Sequence, residues 1–218
     1  KIKPERIMVN YLGVDIPKTQ RENNDSQYVL YVGQAFPRRH LKETILAFEK
    51  LIIQHIEHTN KLEFVSMSEL KLIAIGPDKY ETPTIKHLIS AVNYRLGREA
   101  IIHRDYIKDD ELAKLYAGAK ALIYVSDREA FGLPPMEALS FGIPPVIADN
   151  ELGHELFEDY AFYAKTNNID GIVEGIRDAL TQTEKIDKIK KDGPEFTKKY
   201  NWTNFTDKWL EIVQSLNQ

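Results

Sequence analysis

At the centre of the chain the sequence reads Glu129-Ala130-Phe131-Gly132-Leu133-Pro134-Pro135-Met136-Glu137. A short distance upstream, residues 121–125 are all apolar, as in a strand that is buried on both faces. Residues 138–142, which follow it, suit a short helix that ends at a glycine. The quoted stretch is therefore predicted to be the turn that leads from a parallel strand into a helix.

This turn has the features of an anion-binding site. Gly132 allows a positive φ or a close approach of the backbone to a ligand. Proline at position 134 or 135 fits the first helical position, where a missing N–H costs nothing. We expect the free amides of Leu133, Met136 and Glu137 to point out of the helix start, where they suit a phosphate group.

Two glutamates, eight positions apart, flank this predicted site. Glu129 follows the strand, and Glu137 is expected in the first turn of the helix. Carboxylates repel phosphate, but an ionised carboxylate can accept two hydrogen bonds from a vicinal diol. Hydroxyl groups on both sides of a diphosphate describe a nucleotide sugar. In the structural alternative, Glu137 only favours the helix dipole and Glu129 is a solvated loop charge.

Apolar runs alternate with amphipathic segments along the whole sequence. Strands are predicted at residues 28–32, 72–75, 100–102, 121–125, 146–148 and 161–163. Helices are predicted at residues 41–56, 84–96, 110–118, 138–142, 151–157, 169–180, 185–198 and 202–216. The alternation predicts an α/β fold with a doubly wound, Rossmann-like parallel sheet, in which ligands bind beyond the carboxyl ends of the strands. Because the G-x-G-x-x-G and Walker A patterns are absent from the sequence, dehydrogenase and NTPase functions are disfavoured.

The composition fits one globular domain with a full core. The chain has 218 residues, of which 43% are hydrophobic and 28% charged. The net charge of −4 is spread along the sequence, which argues against nucleic acid as a partner. Without cysteine there is no disulfide and no thiolate metal site. No apolar run has transmembrane length and no signal peptide is present, so a cytoplasmic location is predicted.

A family resemblance appears at these residues. Residues 126–139 resemble the E-x7-E signature of retaining GT-B glycosyltransferases, the "glycosyl transferases group 1" family. The resemblance continues through residues 142–148. Upstream, Tyr31-Val32-Gly33 and then Pro37-Arg38-Arg39-His40-Leu41 resemble the basic loop of the family. Together these matches extend from about residue 10 to the last predicted helix.

The resemblance implies a role for each matched residue. Glu137 would bind the ribose hydroxyls, Glu129 the donor sugar and Arg39 the diphosphate, with Glu129 and Arg39 as the catalytic residues. Apart from the resemblance, the loops at the strand ends are expected to converge on one crevice, so the nucleotide base would lie near residues 103–106, where Tyr106 would stack on it and Arg104 would hydrogen-bond to it. The implied donor-binding residues are Gly33, Gln34, Arg38, Arg39, Glu129, Phe131, Gly132, Leu133, Pro134 and Glu137.

Glycosyl transfer requires stabilisation of the departing diphosphate. The sequence contains no Asp-x-Asp pair that would hold a metal, so neither a metal nor a cofactor is predicted. Arg38 and Arg39, together with the helix start, would supply the positive charge instead. In the structural alternative, the two arginines are solvated. One residue departs from the family pattern, because Gln34 stands where the family often carries Arg.

The resemblance also implies how the chain is organised. Residues 1–26 would be an interdomain linker, residues 27–200 the nucleotide-sugar-binding domain, and residues 201–218 a helix that docks on an absent N-terminal half. That half would bind the acceptor and make any peripheral contact with the inner face of a membrane.

The predicted function is transfer of a hexose from a nucleoside diphosphate sugar to an acceptor in polysaccharide or glycoconjugate synthesis. The resemblance implies a front-face displacement with retention of configuration, in which the leaving phosphate helps to deprotonate the acceptor. Two alternatives stay open. One is a nucleotide-sugar-binding module without catalysis, which Gln34 favours, and the other is a GT-B-like epimerase.

Overall fold

The computed structural model of this chain describes residues 3, 6–15, 26–57, 69–80, 84–166 and 168–215. It confirms the predicted alternation of strands and helices. The strands are β1 (Tyr28–Val32), β2 (Lys71–Ile75), β3 (Ile101–Arg104), β4 (Leu122–Tyr124), β5 (Pro145–Ala148) and β6 (Phe162–Ala164). The helices are α1 (Leu41–Glu57), α2 (Ile85–Leu96), α3 (Asp109–Gly118), α4 (Leu133–Ser140), α5 (Glu151–Phe157), α6 (Ile169–Thr181), α7 (Thr183–Thr197) and α8 (Trp202–Ser215).

All neighbouring strands of the sheet run parallel, in the order β3-β2-β1-β4-β5-β6. The chain builds outward from β1 in one direction and then, from β4, in the other. The sheet therefore has its topological switch point between β1 and β4, where the loops that follow the two strands diverge and leave a crevice. The doubly wound α/β fold predicted from the sequence is confirmed.

The sheet is covered on both faces, because successive residues of a strand point to opposite sides. Val29 of β1 belongs to the same core cluster as Phe48 of α1. Leu30, the next residue, belongs to a second cluster that contains Tyr116 of α3. The short strand β4 is buried at every position, which matches its unbroken apolar run.

The two ends of the described chain meet beside the sheet. The Asn10 side-chain amide donates to the Phe205 carbonyl at 3.0 Å, and the Val14 amide donates to the Tyr200 carbonyl at 2.9 Å. Within residues 202–215, helix α8 has no buried side chain, and about half of the surface of Trp209 is exposed. Residues 16–25 and 216–218, parts of the predicted linker and docking helix, lie outside the described residues.

In the described ranges of the chain, no helix combines the length and the apolar composition that crossing a bilayer requires.

Candidate functional site

The loops that follow β1 and β4 contact each other across the switch point. The Asp127 amide donates to the Arg38 carbonyl at 3.0 Å, and Arg38 Nε donates to the Arg128 carbonyl at 3.4 Å. His40 Nε2 lies 2.8 Å from Asp127 Oδ2. The basic loop after β1 and the loop after β4, which contains Glu129, therefore contact each other at the crevice.

The basic residues lie on a short 3-10 turn, Pro37–Arg39, rather than in an irregular loop. Proline occupies its first position, and the turn ends at His40, whose φ of 49° is left-handed. The turn directs Arg39 back over the end of β1. A Cβ atom at Gly33, whose φ is 145°, would lie 3.1 Å from Arg39 Nη1 and 3.3 Å from the Tyr124 ring, so a side chain at this position would crowd the arginine.

The Glu129 carboxylate is held by three side chains. Arg39 donates to it through Nε at 2.8 Å and through Nη2 at 3.3 Å. The Tyr124 hydroxyl donates at 2.9 Å and the Ser126 hydroxyl at 3.0 Å, both to Oε1. These contacts fix the carboxylate at the carboxyl end of β4, next to the arginine of the opposite loop.

The environment of this ion pair keeps both partners charged. Burial alone would raise the pKa of Glu129, but the hydrogen bonds from Arg39, Tyr124 and Ser126 outweigh burial and lower that pKa. For Arg39, burial lowers the pKa, but the hydrogen bond to Glu129 and the nearby Glu129, Tyr124 and Tyr31 together offset burial, so the net pKa is raised. The crevice therefore contains a paired, fully ionised arginine and glutamate.

Glu137 lies deeper and in a different environment. It is the fifth residue of α4, so the expectation that it would lie in the first turn is wrong. Its Oε2 accepts a hydrogen bond from the Tyr116 hydroxyl at 2.8 Å. Burial raises the pKa of Glu137, the Tyr116 hydrogen bond lowers it, and Asp15 and Asp109 raise it further, with a net upward shift. The two glutamates thus differ in how readily they accept a proton.

The start of α4 offers fewer amides than expected. The Met136 amide donates to the Gly132 carbonyl at 3.2 Å, so the expectation that it would be free is wrong. At a helix start only four residues, here 132–135, have amides without helical partners. Glu137 lies beyond them, so its amide is also excluded from the anion site. Two of those four residues are proline, without an N–H, which leaves the amides of Gly132 and Leu133 for an anion. Gly132 has a φ of 88°, which explains why glycine is present.

A narrow and largely apolar pocket lies directly beside Glu129. Its walls come from the end of β4, the start of α4, the end of β5 and helix α5. Its lining residues are Tyr124, Ser126, Glu129, Phe131, Gly132, Pro135, Ile147, Ala148, Asn150, Leu152, Gly153, Leu156 and Phe157.

The remaining predicted residues lie in three places. Gln34 and Arg38 are exposed on the loop after β1, and among the described residues no carboxylate pairs with Arg38, whose guanidinium lies 4.7 Å from the Phe36 ring centroid. Arg104 and Tyr106 lie instead at the carboxyl end of β3, an edge strand two places from β1. Phe131 is buried, whereas Leu133 and Pro134 are partly exposed at the helix start.

Three side chains of the site were missed by the sequence analysis. They are Tyr116, Tyr124 and Ser126, which hold the two glutamates. Tyr116 is 21 positions from its partner, a separation that carries no local signal. Tyr124 and Ser126 lie at the end of a predicted strand, where parallel sheets place ligand-facing groups, and that position was the available signal.

Within the described residues, no group of three or more His, Cys, Asp or Glu side chains is arranged to hold a metal ion.

The sequence model of the family described as "Glycosyl transferases group 1" matches residues 15–196, which is most of the chain. The chain belongs to the glycosyl transferases group 1 family. This assignment confirms the family that residues 126–139 resemble.

Two curated relatives are both mannosyltransferases. The O-antigen chain mannosyltransferase B of Escherichia coli is 27% identical over 190 residues, which cover 87% of this chain and 46% of the relative. The O-antigen chain mannosyltransferase RfbU of Salmonella typhimurium is 26% identical over 171 residues, which cover 77% of this chain and 42% of the relative. This group 1 chain therefore spans less than half of the length of either relative.

A solved structure shares the fold. The α,α-trehalose 6-phosphate synthase of Burkholderia multivorans superposes with a TM-score of 0.74 at 12% identity, over 88% of this chain and 42% of that chain. The likeness agrees with the Rossmann-like assignment of this group 1 chain.

Proposed function

We propose that this chain is the donor-binding half of a retaining glycosyltransferase that transfers mannose from a nucleoside diphosphate mannose to an acceptor. The observation that carries the proposal is the Arg39–Glu129 pair at the switch point, beside the start of α4. Ligands of open α/β sheets bind in this position. Mannose is proposed as the sugar because the two relatives described above are mannosyltransferases.

Arg39 can hold Glu129 and a diphosphate at the same time. Its Nε and Nη2 donate to Glu129, while Nη1 donates to no group among the described residues. A guanidinium has five N–H groups in a fixed fork, so Nη1 remains for a phosphate oxygen. Arg38 would add a second cation, and the amides of Gly132 and Leu133 would complete the anion site.

Each glutamate keeps an oxygen for a sugar hydroxyl. On Glu129, Oε1 accepts hydrogen bonds from three side chains, whereas Oε2 accepts only from Arg39 Nη2 in the described part of the chain. On Glu137, Tyr116 occupies Oε2. Glu129 Oε2 would accept from a hydroxyl of mannose, and Glu137 Oε1 from a ribose hydroxyl.

The charge distribution supports departure of the diphosphate without a metal. Negative charge that develops on the leaving phosphate would be stabilised by Arg39 and by the Gly132 and Leu133 amides at the start of α4. These groups are fixed before the reaction begins. In this proposal a phosphate oxygen of the leaving group takes the proton of the acceptor hydroxyl. The acceptor attacks from the same face, so configuration is retained and no protein nucleophile is required.

The acceptor site would lie in the part of the relatives that this chain does not span. We propose that helix α8, with exposed Trp202 and Trp209, docks on that part, as does the exposed run Ile7–Val9. Closure of the two halves over the donor would exclude water and bring the acceptor to the sugar.

A second candidate function is a nucleotide-sugar-binding module without catalysis. Gln34 favours it, because its exposed side chain at the end of β1 replaces a cation common in the family. The two functions make the same prediction for donor binding and different predictions for transfer.

Calorimetric titration of the chain with GDP-, UDP- and ADP-mannose, each compared with the corresponding glucose donor, tests the proposal. We expect saturable binding of at least one mannose donor. Absence of binding to every nucleotide sugar would refute the proposed function. Where binding is found, transfer of labelled mannose by the full-length protein separates the enzyme from the module, and binding without transfer would favour the module.

A further inference from the structure

The buried side chain of Phe131 lies at the centre of the predicted donor-binding loop, between Glu129 and Gly132. Its ring makes an edge-to-face contact with Tyr200, with the centroids 5.5 Å apart and an interplanar angle of 78°. Tyr11 completes the group, with its ring centroid 6.4 Å from Phe131 and 5.7 Å from Tyr200. We call Tyr11, Phe131 and Tyr200 the aromatic cluster.

The cluster also contacts helix α5, which forms the opposite wall of the apolar pocket. The Tyr11 hydroxyl donates to Glu155, and the Tyr200 hydroxyl donates to the Leu156 carbonyl at 3.2 Å. Phe131 and Leu156 both line the pocket beside Glu129. The two tyrosines therefore hold the loop on one side of the pocket and the helix on the other.

Tyr11 and Tyr200 lie in two segments, one before the first strand of the sheet and one after helix α7. Val14 donates to the Tyr200 carbonyl, and a Cβ atom at Gly13 would lie 2.4 Å from the Trp202 amide nitrogen, so the two segments are closely packed. A shift of either segment would move a ring that packs near Phe131, and packed aromatic rings have few alternative arrangements.

We infer that Tyr11 and Tyr200 are positioning residues for donor binding: through Phe131 they set the positions of Glu129 and of the Gly132 and Leu133 amides. This inference rests on the proposed function. Neither tyrosine touches the donor in this account, and both lie far along the chain from the loop that they position.

The test compares Tyr11→Ala and Tyr200→Leu with the wild-type chain, and Tyr11→Phe keeps the ring while removing the hydroxyl. Val173→Ala, a buried change in α6 on another part of the core, is the control for loss of stability alone. Two quantities are measured for each variant: amide hydrogen exchange of Met136 without ligand, whose amide donates to the Gly132 carbonyl of the loop, and the Kd for the mannose donor.

We expect Tyr11→Ala and Tyr200→Leu to speed exchange of the Met136 amide and to weaken donor binding about threefold to tenfold. Tyr11→Phe should stay close to wild type in donor affinity, and Val173→Ala should change neither quantity. Unchanged exchange of the Met136 amide would overturn the inference whether or not the donor binds. Faster exchange with an unchanged Kd would overturn the role of Tyr11 and Tyr200 in positioning the donor site. A wild-type chain that binds no nucleotide sugar would overturn both that role and the proposed function.

Discussion

Arg39 Nε lies 2.8 Å from Glu129 Oε1, although 90 positions separate the two residues in the sequence. The contact joins the loop after β1 to the loop after β4, the two central strands of the sheet. About a sixth of each side chain is exposed, so solvent screens the pair only partly. This single contact places a cation and an anion side by side at the edge of the sheet where ligands bind.

The first prediction concerns the strength of this pair. A double-mutant cycle with Arg39→Ala and Glu129→Ala should give a coupling of about 1–2 kcal/mol in the free energy of unfolding, as for hydrogen bonds between charged groups. Urea unfolding of the four chains measures it. The exposed pair Lys198–Glu195 is the control and should give a coupling below about 0.5 kcal/mol. Equal coupling in the two pairs would show that the Arg39 contact has no special strength.

The second prediction concerns pH. The lowered pKa of Glu129 contributes stability above its unfolded-state pKa, and this contribution is lost as the pH falls through the folded-state pKa. The raised pKa of Glu137 has the opposite sign, since ionised Glu137 costs stability at neutral pH and the cost disappears as it becomes protonated. Unfolding free energies of Glu129→Gln and Glu137→Gln, each subtracted from wild type, should therefore change in opposite directions between neutral and acidic pH. If the two differences in unfolding free energy changed in the same direction with pH, the opposite pKa shifts of Glu129 and Glu137 would be contradicted.

The third prediction separates donor binding from stability at Glu137. Glu137→Gln should weaken binding of the nucleotide sugar about tenfold to hundredfold, because a charged acceptor of ribose hydroxyls is lost, while the chain stays folded. The shift in melting temperature caused by the donor reports the change. Glu174→Gln, at an exposed position on α6, should leave the donor-induced shift as in wild type. A full shift in Glu137→Gln would remove Glu137 from the site.

The fourth prediction uses two glycines with similar backbones. Gly132 and Gly97 have φ values of 88° and 66°, and a Cβ atom meets no close contact at either position. Each change to alanine should cost about 1–2 kcal/mol of stability, the cost of a left-handed backbone. Only Gly132→Ala should also weaken donor binding, by about tenfold, since only Gly132 lies beside the predicted phosphate. Equal donor affinities in the two variants would argue against an anion site at the start of α4.

The alternation of strands and helices could be predicted from the sequence because the patterns that identify each element are local. The five-residue apolar run that contains Leu122, Ile123 and Tyr124 has the length and composition of a strand buried on both faces, and helical patterns precede and follow it. The site was predicted as a set of residues, yet its contacts were not, because partners such as Tyr116 and Glu137 come together only through the sheet topology.

The errors at the start of α4 have a local cause. The residue types predict a proline at the first helical position, but Leu133 takes it, since Gly132 adopts the left-handed N-cap conformation. With the helix beginning at Leu133, Met136 already has an amide partner and Glu137 falls in the second turn. Helix ends depend on single backbone angles, which residue types only bias.

The fifth prediction concerns the departure from the family pattern. Gln34→Arg would place a third arginine at the carboxyl end of β1, and we expect a nucleoside diphosphate to bind about threefold to tenfold more tightly. Tyr94→Arg, at a highly exposed position on α2, adds the same charge away from the crevice and controls for a general effect of charge. Comparison of the Kd values for GDP and UDP in the two variants gives the result. Equal affinities in both variants would show that position 34 does not face the diphosphate.

The central claim is that the Arg39 side of the crevice binds the diphosphate of a nucleotide sugar. Isothermal titration of the wild-type chain and of Arg39→Ala with nucleoside diphosphate mannose tests it most directly. The account predicts binding to the wild-type chain and at least about tenfold weaker binding to Arg39→Ala. Equal affinity in the two chains would contradict it.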